Sequence, residues 1–102
     1  SRIAEFNPNL ALVGIRIDIE RRLVALAEAN EIPTNRRPLA RILRDLRARE
    51  VVPGSIASGL TELVELGNRA AHGVEVSEDA AQWVLKSAPQ IISQLETLRA
   101  SA

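Results

Sequence analysis

This 102-residue chain contains four stretches in which apolar residues recur at helical spacing. Breaks that contain proline or glycine separate the four stretches, and the pattern restricts the chain to an all-α fold. Its β-branched residues do not alternate with polar ones, as they would in a half-buried strand. The breaks fall near residues 31–35, 50–54 and 73–77. Short connections predict antiparallel neighbours, so we expect one domain, 1–102, folded as an up-and-down four-helix bundle.

Helix boundaries follow from the residues that favour helix ends. Asn7 is the expected N-cap of the first helix, with Pro8 at its first position and an end near Asn30. The second helix is predicted over 36–49, with Pro38 tolerated in its first turn.

The third and fourth predicted helices are also bounded by proline, glycine and serine. Pro53 starts the third helix, and Gly73 ends it. Ser77, followed by two acidic residues, predicts the start of the fourth helix. Pro89 falls inside that helix and predicts a kink.

Composition excludes several classes of function. The absence of Cys removes disulfides, zinc–thiolate sites and thiol catalysis, and one His without a metal-binding motif predicts no metal and no cofactor. A formal net charge of zero gives no overall reason to expect nucleic acid or anionic lipid. We find no membrane-spanning stretch and no signal peptide, and therefore predict a cytoplasmic chain without direct membrane insertion.

Two further compositional features concern the origin of the chain. Twelve of its 13 basic residues are Arg and Ala is abundant, which indicates a GC-rich bacterial genome. The chain starts at Ser1 and contains no Met, so we expect a domain excised from a longer protein. Its partners would then include other domains or proteins of the parent system.

A candidate polar cluster combines residues of the first and third helices. Arg16 and Glu20 fall in the middle of the apolar arc of the first helix, one turn apart, where a charge is costly unless it is paired. Asn68 and His72 share one margin of the apolar arc of the third helix. We predict that these four residues meet. The alternatives are that the two charges only reach the bundle edge, and that His72 only caps a helix.

The second helix and Trp83 are candidate contact surfaces. Residues 36–49 hold six Arg against one acid, Asp45. The candidate face consists of Arg36, Arg37, Arg41, Arg44 and Arg47. It fits a solvated surface, an acidic partner or a phosphate backbone, although no aromatic residues are interleaved to stack on bases. Trp83 lies just outside its helix's apolar arc, as a rim residue or as an anchor in a dimer interface.

The sequences "GIRIDIERRL" and "LVELGNRAAHG", with the helix order, resemble the HEPN-like bacterial domains. The nearer resemblance is to a domain-of-unknown-function branch with a GN-x-A-A-H-G signature, over about residues 10–98. It implies a HEPN-like bundle, a tendency to dimerise, and fusion to other domains. Catalytic HEPN ribonucleases place four to six residues between an Arg and a His. Here only two residues separate Arg69 from His72, so the catalytic motif is not matched.

We therefore predict a non-catalytic dimerisation or partner-binding module of a larger bacterial protein, acting as a homodimer. One alternative is a metal-independent endoribonuclease, with His72 as acid or base and Arg16 or Arg69 as the cation that stabilises the phosphorane. Another is a nucleic-acid-binding accessory domain that binds RNA through the second helix.

Overall fold

The computed structural model describes residues 7–102, and within this range it contains four helices and no strand. The helices are α1 Pro8–Ala29, α2 Leu39–Ala48, α3 Gly54–Ala71 and α4 Glu78–Ala100. For residues 7–102, the all-α prediction, the number of helices and the positions of the three breaks are confirmed. Helix α4 runs continuously through Pro89, and the kink there stays a prediction.

Side-chain caps begin the two longest helices. The side-chain oxygen of Asn7 accepts a hydrogen bond from the backbone N–H of Leu10 at 3.1 Å, at the start of α1. The Ser77 hydroxyl accepts one from the backbone N–H of Ala80 at 3.1 Å, at the start of α4. Each cap satisfies an N–H group that has no partner within its helix. Both predicted N-caps are therefore confirmed.

Helix α2 begins later than predicted. Arg36 has a positive φ of 59°, and Pro38 is the N-cap residue with extended backbone rather than a member of the first turn. A left-handed residue interrupts a right-handed helix, and the residue before a proline is disfavoured in the α region. The helix consequently starts at Leu39, three residues after the predicted boundary.

Three helices end on a residue with left-handed backbone. Gly73, after α3, has φ 76°, but Glu31 after α1 and Glu50 after α2 have φ 59° and 60°. The N–H of the residue that follows bonds back across each end. Ile32 donates to the carbonyl of Ala27, and Val51 donates to that of Leu46, both at 2.9 Å. These bonds satisfy terminal carbonyls and turn the chain sharply.

The up-and-down topology is wrong in its strict form. The Asn9 side chain, near the start of α1, donates to the carbonyl of Val74, just after α3, at 3.0 Å. Farther along α1, Arg16 contacts Asn68, so α1 and α3 run in opposite directions. Strict alternation would make them parallel.

The core is one apolar cluster to which all four helices contribute, with α1 in contact with each of the others. Its fully buried large side chains are Leu12, Ile19, Leu23, Leu26, Leu46, Leu60, Leu95, Val52 and Val84. The apolar arc of α1 is wider than the surface that its neighbours cover. Ile17, an apolar residue of α1, is 46% exposed. Across residues 7–102, no helix combines the length and the apolar character needed to cross a bilayer.

Candidate functional site

The contact between α1 and α3 is built around Gly67. A Cβ atom placed on Gly67 would lie 2.6 Å from Cβ of Arg16 and 3.0 Å from its Cγ. Real carbon atoms do not approach that closely unless something moves. Glycine therefore lets the backbone of α3 press against the side-chain stem of Arg16. The aliphatic part of Arg16 fills the space, and its guanidinium group extends toward the edge of the contact.

The guanidinium group of Arg16 joins two polar side chains. Its Nε donates a hydrogen bond to Oδ1 of Asn68 at 2.5 Å. Its Nη1 lies 3.6 Å from Oε2 of Glu20, one turn farther along α1. The Arg16 and Glu20 side chains are 23% and 39% exposed, so the group lies at the edge of the core. The structure thus brings Arg16, Glu20 and Asn68 into one chain of polar contacts between α1 and α3.

His72 joins this chain only through the backbone. Its Nδ1 lies 2.7 Å from the backbone carbonyl oxygen of Asn68, and its own N–H donates to that oxygen at 3.0 Å. A 2.7 Å contact with a carbonyl oxygen requires the imidazole to donate, which places a proton on Nδ1. The residue is exposed and forms the C-cap of α3.

The residues after His72 complete the end of α3. Gly73 donates its N–H to the carbonyl of Ala70 at 3.1 Å, and Val74 donates to that of Arg69 at 2.9 Å. This pair of bonds with a left-handed glycine is a Schellman motif. The seven residues "GNRAAHG" therefore provide the close approach of α3 to α1, the hydrogen bond with Arg16 and the end of α3.

The three weak catalytic candidates occupy different environments. Arg16 uses its guanidinium group to join Asn68 and Glu20, whereas Arg69 and His72 are both exposed near the end of α3. Arg16 meets His72 only by way of Asn68. This geometry fits a link between helices and a helix cap. A catalytic role for any of the three stays a prediction.

The arginines of the second helix region divide into two groups. Arg37 lies 3.9 Å from Asp45, the single acid of this region. Arg41, Arg44 and Arg47 are exposed on α2, and Arg36 is exposed in the loop before it. Among residues 7–102, these four arginines have no carboxylate oxygen within 4 Å.

A groove of about 270 Å³ separates α2 from α3. Arg44 and Arg47 border it on the α2 side, and Glu65 and Asn68 on the α3 side. Its apolar lining is supplied by Ala40, Leu43, Ala57 and Val64. Asn68 therefore borders this groove and also takes part in the α1–α3 contact, where its Oδ1 accepts a hydrogen bond from Arg16.

A second groove, of about 620 Å³, lies between α1 and α4. Arg22 bridges it, with Nε 3.0 Å from Asp18 and Nη1 3.4 Å from Glu96. The pairing of Asp18 with Arg22 is readable from their four-residue spacing, but the contact with Glu96 depends on how α1 and α4 align. Sequence reasoning missed this groove.

The exposed apolar residues include one that the sequence predicted and others that it missed. Trp83 on α4 is 39% exposed, in keeping with a position at the margin of the apolar arc. Leu10 and Ile17 on α1 are 57% and 46% exposed. They lie seven residues apart, and so share one face of the helix. Gly14 lies between them on that face, and no atom of the described part of the chain lies within 4 Å of where its Cβ would be.

The fold and these contacts define an all-helical domain with a polar link between its first and third helices. Over residues 1–101 the chain matches a family described as "Domain of unknown function (DUF4145)", and it belongs to that family. Comparison with the curated proteins and with the solved structures gave no match.

Proposed function

We propose that this chain is a non-catalytic, HEPN-like module that forms homodimers and contacts partner proteins within a larger bacterial protein. The observation that carries the proposal is the exposed apolar face of α1, formed by Leu10, Gly14 and Ile17. These residues lie on one side of the helix, away from the core that the other apolar residues of α1 build.

Gly14 strengthens the argument for a second chain on this face. A glycine inside a helix costs roughly 0.5–1 kcal/mol relative to Ala. No contact with residues 7–102 requires Gly14, in contrast to Gly67. A helix from a second copy that packs closely over Leu10 and Ile17 would explain why a residue without a side chain stands at position 14. Trp83 supplies a further exposed anchor of the residue type enriched at interfaces.

The polar residues support a structural rather than a catalytic role for the GNRAAHG sequence. Asn68 bonds Arg16, and His72 bonds the carbonyl of Asn68 at the end of its own helix. The spacing between Arg69 and His72 also departs from that of the catalytic HEPN ribonucleases. The helix order and this sequence element remain the support for HEPN-like ancestry.

Sedimentation at tens of micromolar protein tests the dimer. We expect a species near twice the 11.1 kDa chain mass. Ile17→Glu should convert it to monomer, because a carboxylate buried in an apolar interface has no partner. Gln90→Glu adds the same charge at an exposed position of α4 and should leave the dimer intact.

Two results would overturn the proposal. One is a wild-type chain that sediments only as monomer. The other is degradation of single-stranded RNA in the presence of EDTA, abolished by His72→Ala, which would establish the metal-independent ribonuclease instead.

A further inference from the structure

The groove between α2 and α3 combines positive charge with an apolar floor. Residues 36–49 carry six Arg and one Asp, a net charge of +5 in a chain whose formal net charge is zero. Arg37 pairs with the carboxylate of Asp45. Arg44 and Arg47, one turn apart at the border of the groove, have no carboxylate within 4 Å among the described residues.

The floor of the groove is shaped for apolar side chains. Leu43, Ala57 and Val64 are buried core residues that line the groove, and Thr61, which also lines it, donates its hydroxyl to the carbonyl of Ala57. Ala40 and Ala57 are small, and they leave the space that larger residues would fill. A phosphate backbone would bind the arginines but leave this floor empty. The lining contains no aromatic residue on which a base could stack.

Asn68 adds a hydrogen-bond donor at the α3 side. Its Oδ1 is bonded to Arg16, so its Nδ2 is the polar group that remains for another contact. Glu65 borders the same side and repels acidic groups there. The groove is consequently asymmetric, with its acid-binding side on α2 and an amide donor on α3.

We propose that this groove binds an acidic peptide segment of a partner protein, with carboxylates on Arg44 and Arg47 and an apolar side chain on the floor. Arg–carboxylate pairs form two parallel hydrogen bonds and so fix the position of the segment. The inference rests on the proposed role as a partner-binding module and identifies the chemistry of the partner. It does not depend on the α1 face that forms the homodimer.

Fluorescence anisotropy with a labelled peptide of Glu-Glu-Leu repeats tests this inference. We expect saturable binding by the wild-type chain, and a loss of affinity of at least about tenfold for the double variant Arg44→Glu, Arg47→Glu. The matched control is Arg36→Glu with Arg49→Glu, which changes net charge equally at exposed positions outside the groove lining. It should retain most of the affinity.

Two further probes separate the apolar from the charged part of the site. Ala40→Leu fills the groove from an exposed helical position without changing charge, and it should weaken binding of the repeat peptide. A peptide with Gln in place of Glu should bind weakly, because it lacks the carboxylates. Thermal unfolding of each variant, with a midpoint near the wild-type value, shows that lost binding does not reflect a lost fold.

Several outcomes would overturn the inference. They are the absence of peptide binding, an equal loss in the control variant, and equal binding of the Gln peptide. Tighter binding of oligouridylate RNA than of the acidic peptide would assign the arginines to nucleic acid. Because the titration does not require a dimer, a chain that binds the peptide as a monomer would contradict only the proposed homodimer.

Discussion

Helix α3 contacts α1 on one side and α2 on another, and the arginines at these two contacts differ in whether the chain supplies them with partners. On the α1 side, Arg16 packs its stem on Gly67 and bonds Asn68 with its guanidinium group. On the α2 side, Arg44 and Arg47 border an open groove, with no carboxylate of the described chain within 4 Å.

The chain therefore uses one set of polar groups for folding and leaves another set exposed to other molecules. An arginine whose donors are satisfied inside the chain contributes to stability, and replacing it lowers the free energy of unfolding. An exposed arginine without a partner contributes little to stability. Its replacement should alter binding instead. Stability measurements can therefore separate the two contacts.

The largest expected effect concerns Gly67. Gly67→Ala places a Cβ 2.6 Å from Cβ of Arg16, an atom next to the backbone that no side-chain rotation can move away. Helices α1 and α3 must separate, and overpacking of this kind costs about 1–3 kcal/mol. We expect the free energy of unfolding to fall by about 2 kcal/mol in chemical denaturation.

Gly14→Ala is the matched control for Gly67→Ala. The same methyl group on α1 would meet no atom of residues 7–102 within 4 Å, so the chain should gain roughly 0.5–1 kcal/mol of stability from the better helix former. The measurement belongs at concentrations where the chain is monomeric, because Gly14 lies on the proposed dimer face. If the two substitutions changed stability alike, the close approach of α1 to α3 would be refuted.

The sequence predicted the helices well because their signals are local. Asn7 and Ser77 cap the helices that they were expected to cap, since a cap depends only on residues within one turn. The late start of α2 and the left-handed Glu31 and Glu50 were missed. Glycine is the usual residue at such an end, so two glutamates in that conformation give no sequence signal.

The direction of the helices and the depth of the site were harder to predict. Two charges inside an apolar arc pointed to Arg16 and Glu20, but their half-exposed position depends on how far α3 covers α1. The exposure of Ile17 on the same helix was not predicted. Both outcomes follow from packing between segments far apart in the chain, and hydrophobic spacing within one helix does not encode it.

A double-mutant cycle on Arg16 and Asn68 should give the next largest effect. The double variant Arg16→Ala, Asn68→Ala is compared with each single variant, which gives the coupling free energy between the two side chains. Changes in helix propensity cancel in this comparison. We expect about 1 kcal/mol, less than a fully buried charged hydrogen bond because Asn68 and Arg16 are half-buried.

The contrast with the α2 groove supplies the control cycle. Arg44→Ala combined with Asn68→Ala should show coupling near zero, although both residues border the same groove. Equal coupling energies in the two cycles would mean that Arg16 is no more engaged than Arg44. The comparison between the two sides of α3 would then fail.

The smallest expected effect concerns Glu20. Its carboxylate lies 3.6 Å from Arg16, but its side chain is 39% exposed, and exposed pairs at this spacing contribute about 0.3–0.5 kcal/mol. Glu20→Ala should therefore destabilise the chain by that much more than Glu28→Ala, which removes an exposed Glu from the same helix. High salt should reduce the difference, because screening weakens pairs in contact with solvent. A difference of several kcal/mol would place Glu20 in the core, and no difference in low salt would leave Asn68 as the only partner that holds Arg16 in the α1–α3 contact.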